Sequence, residues 1–150
     1  MGIKVQQVSH SQAARLAKLH KSCFQQSWGI AEFSRLLENQ VVTGLMYLED
    51  DRDIGLALLQ SIAFETEILT FGIIPSRRGR GFGYGLLGGI CDYARTIDSK
   101  AIFLEVSNSN PAGINLYTGY GFEQVGLRKK YYADRSDALI YRLPLTSAKL

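Results

Sequence analysis

Hydrophobic and polar residues follow two periods along this 150-residue chain. Alternating stretches predict strands at 3–9, 41–49, 54–62, 66–74, 101–106, 122–132 and 137–145. Apolar residues three and four apart predict helices at 11–24, at 30–39, from the glycines near 81 to about 97, and at 110–121. The order β-α-α-β-β-β-α-β-α-β-β predicts an α/β fold, a mixed sheet with helices packed on it, in one domain over residues 1–150.

Composition excludes several classes of protein. Hydrophobic residues make up 46% of the chain, and the two cysteines, Cys23 and Cys91, form no Cys-x-x-Cys pair. We therefore expect neither a disulfide framework nor a metal site, and a cytoplasmic location. No apolar run approaches the ~20 residues of a membrane span. A net charge of +3 is too small to indicate nucleic-acid binding.

The segment "SRRGRGFGYGLL" at 76–87 combines glycines and arginines where a helix begins. Bare backbone N–H groups at a helix start form a binding site for phosphate, and arginines add positive charge. We therefore expect Gly79, Gly81 and Gly83 to contact an anion, whereas Gly88 and Gly89, inside the helix, indicate close packing.

Two common phosphate-binding motifs do not account for this segment. A Walker loop requires Gly-Lys followed by Ser or Thr, which is missing. The spacing of Gly83, Gly85 and Gly88 matches G-x-G-x-x-G, and Glu105 follows at about the right interval. However, the preceding strand ends near Ile74, too early for the tight turn of a dinucleotide-binding fold.

A second group of candidate residues lies in "FLEVSNSNPAGINLYTGYGF" at 103–122. Both faces of strand 101–106 are apolar, which predicts a central strand, and a carboxylate there, Glu105, needs a partner, a cleft or water. Such a group suits a proton acceptor. Asn110 is the expected N-cap of the following helix, and Tyr117 lies two turns later on the same side.

The glycine segment resembles the R/Q-x-x-G-x-G/A loop of the GNAT superfamily of N-acetyltransferases, and "LTFGIIPSRR" resembles the fourth strand that precedes it. The resemblance implies a mostly antiparallel sheet and binding of acetyl-coenzyme A (acetyl-CoA). The backbones of Phe71, Gly72 and Ile73 would meet its pantetheine arm. The pyrophosphate would lie on Arg78, Gly79, Arg80, Gly81, Phe82, Gly83 and Tyr84.

The segments "LEVSNSN", "NLYTGYGF", "GLRKKYY" and "DALI", with Trp28 after the first helix, resemble the ribosomal-protein-alanine N-acetyltransferases of RimI type. This resemblance implies Glu105 as general base, Asn110 as an acetyl-CoA contact, and Tyr117 as general acid beside the cofactor. The implied acceptor is the N-terminal α-amine of a ribosomal protein that begins with alanine, and no metal takes part.

The acceptor side departs from this pattern, which leaves alternatives open. Ser107 stands where these enzymes usually have arginine, no proline follows Tyr132, and the loop 133–136 is short. A small amine or a protein lysine is the alternative acceptor. A non-catalytic module that binds coenzyme A or nucleic acid is the alternative class. His10, His20 and Cys91 indicate surface or packing positions rather than catalysis.

Overall fold

The structure, a computed structural model, describes residues 2–146. Its strands are β1 (Ile3–Val8), β2 (Val42–Glu49), β3 (Arg52–Ile62), β4 (Glu65–Ile73), β5 (Ala101–Ser107), β6 (Glu123–Arg128) and β7 (Ala138–Pro144). Its α-helices are α1 (Ala13–Cys23), α2 (Ile30–Leu37), α3 (Phe82–Thr96) and α4 (Pro111–Tyr120). The element order is the one predicted from the sequence.

The strands form one seven-stranded sheet in the order β1-β2-β3-β4-β5-β7-β6. Neighbouring strands are antiparallel except β4 and β5, which run parallel over Glu65–Ile68 and Ala101–Leu104. A parallel pair needs a crossover, and α3 supplies it. The predicted mixed, mostly antiparallel sheet flanked by helices is confirmed.

Alternate residues of the central strands supply two separate hydrophobic cores. Leu45 and Tyr47 of β2 face one side, where they join the buried residues of α3. Met46 and Leu48 face the other side, with the buried residues of α1 and α2. The period of two in β2 therefore produces a three-layer arrangement, with helices on both faces of the sheet.

Two predicted boundaries differ from the structure. The first helix begins as a short 3-10 turn at His10–Gln12, and the α-helix starts only at Ala13, without a side-chain cap from Ser11. Strand 122–132 ends at Arg128, because the chain turns at Lys130, whose φ is +51°. The side chain of Asp137 holds that turn by accepting the Lys130 N–H at 2.9 Å. The hydrophobic periodicity of residues 122–132 cannot reveal such a hydrogen bond, because its acceptor lies later in the chain.

Two adjacent glycines of α3 lie in different surroundings. A Cβ built on Gly89 would lie 2.7 Å from Cγ2 of Val5, so α3 packs closely on β1 there, as predicted. A Cβ on Gly88 would meet only the Tyr120 hydroxyl, at 3.7 Å, which is ordinary contact. The prediction of close packing is therefore wrong for Gly88.

Gly88→Ala and Gly89→Ala should change stability in opposite directions. Alanine at either site gains up to ~1 kcal/mol of helix propensity, and nothing at Gly88 opposes that gain. At Gly89 the collision with the stiff Val5 side chain should outweigh it and lower the free energy of unfolding by about 1–2 kcal/mol. Urea denaturation of both variants measures the difference; a stabilised Gly89→Ala protein would contradict the packing.

Candidate active site

A cleft opens in the sheet where β4 and β5 separate. Their pairing stops at Ile68 and Leu104; beyond this point β4 remains paired only with β3, and β5 only with β7. A bulge at the same place leaves Leu69 without a partner on β3. The last residues of β4 therefore present backbone groups to the cleft rather than to a neighbouring strand.

The glycine loop lies at the start of α3. Gly79 has φ +73° and Gly81, the N-cap of α3, has φ +85°. No atom lies within 4 Å of a Cβ built on either residue, so backbone conformation rather than crowding requires glycine. Gly83 differs, because its Cβ would lie 3.1 Å from the Leu116 side chain of α4. The loop thus leaves open space in front of the N–H groups of a helix start.

The three arginines of this loop have different surroundings. Arg77 forms an ion pair with Glu49, with 2.6 Å between Nε and Oε1. Arg78 donates to two backbone carbonyls, those of Ile73 at 2.8 Å and Cys23 at 3.0 Å. Its guanidinium therefore braces the loop against β4 and α1. Arg80 is exposed and has no ion-pair or hydrogen-bond partner within residues 2–146.

The end of β4 contacts elements on both faces of the sheet. A Cβ on Gly72 would lie 3.1 Å from the Cys23 side chain, so glycine lets α1 approach the strand. On the other face, the ring of Phe71 packs edge-on against Tyr117, with 5.9 Å between centroids. The end of β4, which is predicted to bind the pantetheine arm, therefore contacts Tyr117, the predicted general acid.

Tyr117 has a raised pKa and an uncommitted hydroxyl. Burial, with a smaller contribution from Tyr132, raises the pKa of Tyr117 well above its ordinary value, so the phenol stays protonated at neutral pH. The hydroxyl makes no hydrogen bond to the described part of the chain. Asn110 caps the same helix, because its Oδ1 accepts the Gly113 N–H at 3.0 Å. That bond confirms the predicted cap.

Glu105 lies at the cleft, on the face of β5 opposite Leu104 and Val106, which are buried. Its Oε2 is buried and lies 3.1 Å from Nε of Arg128, but the contact is not aligned as a hydrogen bond. Arg128 is more than half exposed and also lies over the ring of Tyr131, 5.3 Å from its centroid. Arg128 is therefore the exposed partner of this ion pair, and its side chain can move away from Glu105.

The cleft around Glu105 is acidic. It has a volume of about 450 Å³ and is lined by Glu32, Glu67 and Glu105, with Arg128, the ion-pair partner of Glu105, as the cation beside them. Partial burial and the negative charge of Glu105 raise the pKa of Glu67. Glu67 was not predicted as a site residue. Glutamates at alternate positions, 65 and 67, are typical of a strand face in contact with solvent. Trp28, Tyr131 and Tyr132 form apolar walls.

The acetyltransferase (GNAT) family matches residues 13–122. This chain belongs to that family. The fold and the resemblance predicted from the glycine loop are thus confirmed, and with them the assignment to a family of acyltransferases that use acetyl-CoA. The roles of individual site residues stay predictions.

One relative carries the name RimI, and others are named for alanine acetylation of ribosomal protein bS18. An N-alpha-acetyltransferase RimI of Mycobacterium tuberculosis is 44% identical over 69 residues, 46% of this chain and 42% of that protein. A [ribosomal protein bS18]-alanine N-acetyltransferase of Haemophilus influenzae is 30% identical over 130 residues, 85% and 86% of the two chains. The matches cover only 37% of an uncharacterized protein of Mycobacterium leprae, which is 37% identical over 135 residues, and 42% of the Mycobacterium tuberculosis protein.

Solved structures support the fold. The crystal structure of the ribosomal-protein-S18-alanine N-acetyltransferase from Escherichia coli superposes with a TM-score of 0.87 at 21% identity, over 99% of each chain. At that identity the superposition shows the GNAT fold and leaves the acceptor open. The fold places the open end of the cleft, the glycine loop and α4 together.

Two of the three departures on the acceptor side of this GNAT domain, Ser107 and the short loop, are in contact with each other. Ser107 Oγ donates to Ser136 Oγ at 2.7 Å, and Ser136 also bonds to Asp134. The Asp137 N–H donates to Asn108 Oδ1 at 3.2 Å, which ties the same loop to the end of β5. A serine at 107 and a short loop at 133–136 therefore form one local arrangement.

Residues 2–146 contain neither of two further classes of site. No group of three or more His, Cys, Asp or Glu side chains there is arranged to hold a metal ion. No described helix is long and apolar enough to cross a membrane.

Proposed function

We propose that this protein transfers the acetyl group of acetyl-CoA to the N-terminal α-amine of a protein, a ribosomal protein beginning with alanine. The observation that carries the proposal is the acidic cleft where β4 leaves β5, with Glu105 inside it and Tyr117 against the end of β4. An amine arrives as an ammonium ion, and a cleft lined by carboxylates attracts it.

The donor side has the features that a pyrophosphate requires. The space in front of Gly79 and Gly81 is open, the α3 N-terminus faces it, and Arg80 is a free cation within the described chain. The backbones of Phe71, Gly72 and Ile73 would hold the pantetheine arm as an added strand. Phe82, Gly83 and Tyr84 would complete the loop, and Asn110 would contact the cofactor from the start of α4.

In the proposed reaction, Glu105 accepts a proton from the ammonium through a water molecule. The acceptor nitrogen bonds to the acetyl carbon, the carbon–sulfur bond breaks, and the second proton of the nitrogen passes to solvent as the amide forms. Backbone N–H groups at the end of β4 would polarise the carbonyl oxygen, and Tyr117 would give its proton to the sulfur. Because its pKa is raised, Tyr117 carries this proton at neutral pH until the thiolate takes it, and the phenolate regains a proton from solvent afterwards. Acetyl-CoA supplies the activated acyl group.

An α-amine suits this arrangement better than a lysine side chain. Its pKa is near ~8, against ~10.4 for lysine, so less work is needed to deprotonate it at neutral pH. The relatives named for bS18 alanine acetylation support the same acceptor. The acidic lining of the cleft also suits a small polyamine, which is therefore the second candidate.

Exchanging Gly81 for asparagine or aspartate tests the donor site. Both side chains have nearly the same shape, and asparagine and aspartate tolerate positive φ better than most residues. Only aspartate places a negative charge at the helix start. Gly81→Asp should therefore bind acetyl-CoA at least tenfold more weakly than Gly81→Asn in calorimetry. Equal affinities in the two folded variants would exclude a pyrophosphate at this loop.

Exchanging the two proposed catalytic side chains for near-isosteres tests the chemistry. Glu105→Gln and Tyr117→Phe should each lower kcat by about 10²-fold or more, because each removes a proton acceptor or donor. The Kd of acetyl-CoA should change less than threefold. Glu123→Gln, an exposed glutamate on β6, is the matched control and should keep wild-type kcat. Wild-type kcat in both folded variants would contradict the assignment of Glu105 and Tyr117 as catalytic residues.

The acceptor is tested with two peptides of one sequence. One is an alanine-initiated ribosomal peptide with a free α-amine, and the other is blocked at that amine but carries a free lysine. The first should be acetylated with at least a hundredfold higher kcat/KM. Similar values would contradict the α-amine. Acetylation of neither peptide, with activity on a polyamine, would establish the second candidate instead.

A further inference from the structure

His20 is buried in α1, with 2% of its surface exposed, and both of its ring nitrogens are engaged. Nδ1 lies 3.0 Å from the backbone nitrogen of Trp28, and Nε2 lies 2.9 Å from Oγ1 of Thr70. A backbone N–H can only donate, so Nδ1 must be the unprotonated acceptor. The neutral ring then carries its hydrogen on Nε2 and donates it to Thr70. Burial lowers the pKa of His20 to about 4, in agreement with a neutral ring.

The His20 ring is also the centre of an aromatic cluster. It stacks on Trp28 with 5.2 Å between centroids, and it contacts Phe24 at 4.4 Å and the edge of Phe33 at 5.4 Å. These rings belong to the α1–α2 connection and to α2. Through Thr70 the same imidazole is bonded to β4.

The connection between α1 and α2 has few other attachments. Gln25, Gln26 and Ser27 are exposed and make no hydrogen bond to any residue between 2 and 146. The Trp28 N–H to His20 bond is thus the one hydrogen bond that fixes residues 25–28 in the described structure. We call residues 24–29 the Trp28 segment.

The two bonds of His20 connect a residue that lines the acidic cleft to the strand from which the cleft opens. Trp28 lines the cleft beside Glu32 and Leu36. Thr70 lies on β4 between the bulge at Leu69 and Phe71, where the strand leaves β5. The imidazole is not among the residues that line the cleft, so it does not touch a bound acceptor.

We propose that His20 is a positioning residue whose neutral ring, bonded to Thr70 of β4, holds the Trp28 segment by accepting the Trp28 N–H and so sets the shape of the acceptor side of the cleft. The inference rests on the proposed function in one respect, because it takes this cleft to receive the amine. Loss of the bond to Trp28 should therefore raise the KM of the acceptor. It should leave the affinity for acetyl-CoA unchanged, because the glycine loop lies elsewhere.

Two amide variants separate the two bonds of the ring. The Oδ1 of asparagine can occupy the position of the imidazole Nδ1, so His20→Asn keeps an acceptor for the Trp28 N–H. The amide of glutamine reaches the position of Nε2, so His20→Gln keeps the link to Thr70 but loses that acceptor. We expect the acceptor KM to rise at least tenfold in His20→Gln and at most threefold in His20→Asn. The Kd of acetyl-CoA should stay within twofold in both variants.

Trp28 is the single tryptophan of the chain, so its fluorescence reports on the segment without any assay of activity. Acrylamide quenching should increase at least twofold in His20→Gln and remain near the wild-type value in His20→Asn. Unchanged quenching in His20→Gln would refute the proposed attachment. Increased quenching with an unchanged acceptor KM would refute its role in the cleft.

The failure of the proposed function has a different signature. A wild-type protein that acetylates no peptide amine contradicts the acceptor, while the quenching measurements still decide whether His20 holds the Trp28 segment. If His20→Gln does not fold, His20→Leu replaces it, because leucine fills similar space and offers no acceptor to the Trp28 N–H. It should raise quenching and acceptor KM together; a change in neither would overturn the proposal.

Discussion

The separation of β4 from β5 is the constraint on which the site depends. Two parallel strands that stayed hydrogen-bonded to their ends would leave no room for a substrate inside the sheet. Here the pairing stops at Ile68 and Leu104, and the bulge at Leu69 turns β4 away. The freed backbone of β4 and Glu105, the residue after Leu104 on β5, both face the cleft; in the proposed reaction the first would meet acetyl-CoA and the second the amine. The cleft is thus an interruption of strand pairing, and the hydrophobic cores on the two faces of the sheet stabilise the strands around it.

Much of the fold could be predicted, because the signals were local. The cap at Asn110, the alternation in 101–106 and the glycines before α3 all depend on neighbours in the chain, and the structure places each as predicted. The position of Glu105 on a central strand followed from the same alternation. Such signals determine elements and their order.

The missed features depend on contacts between distant segments. The sequence pattern around Glu67 is typical of a solvated residue, and only the fold shows that Glu105 of β5 lies near it. The end of β6 at Arg128 depends on a bond from Asp137, and the role of His20 depends on Thr70, fifty positions along the chain. Gly88 was expected to pack closely because, like Gly89, it lies inside the helix, yet the helix turns the two residues in different directions. Periodicity contains none of this information.

The glycines of α3 have a consequence for the order in which the molecule assembles. The helix contains Gly83, Gly85, Gly88 and Gly89, each less favourable than alanine by up to ~1 kcal/mol, so the isolated segment would be a poor helix. Its buried side chains, such as Leu86 and Ile90, gain their stabilisation only against a formed sheet. The helix start that would receive the pyrophosphate should therefore form only together with the sheet. A ligand bound there would raise the free energy of unfolding of the whole domain.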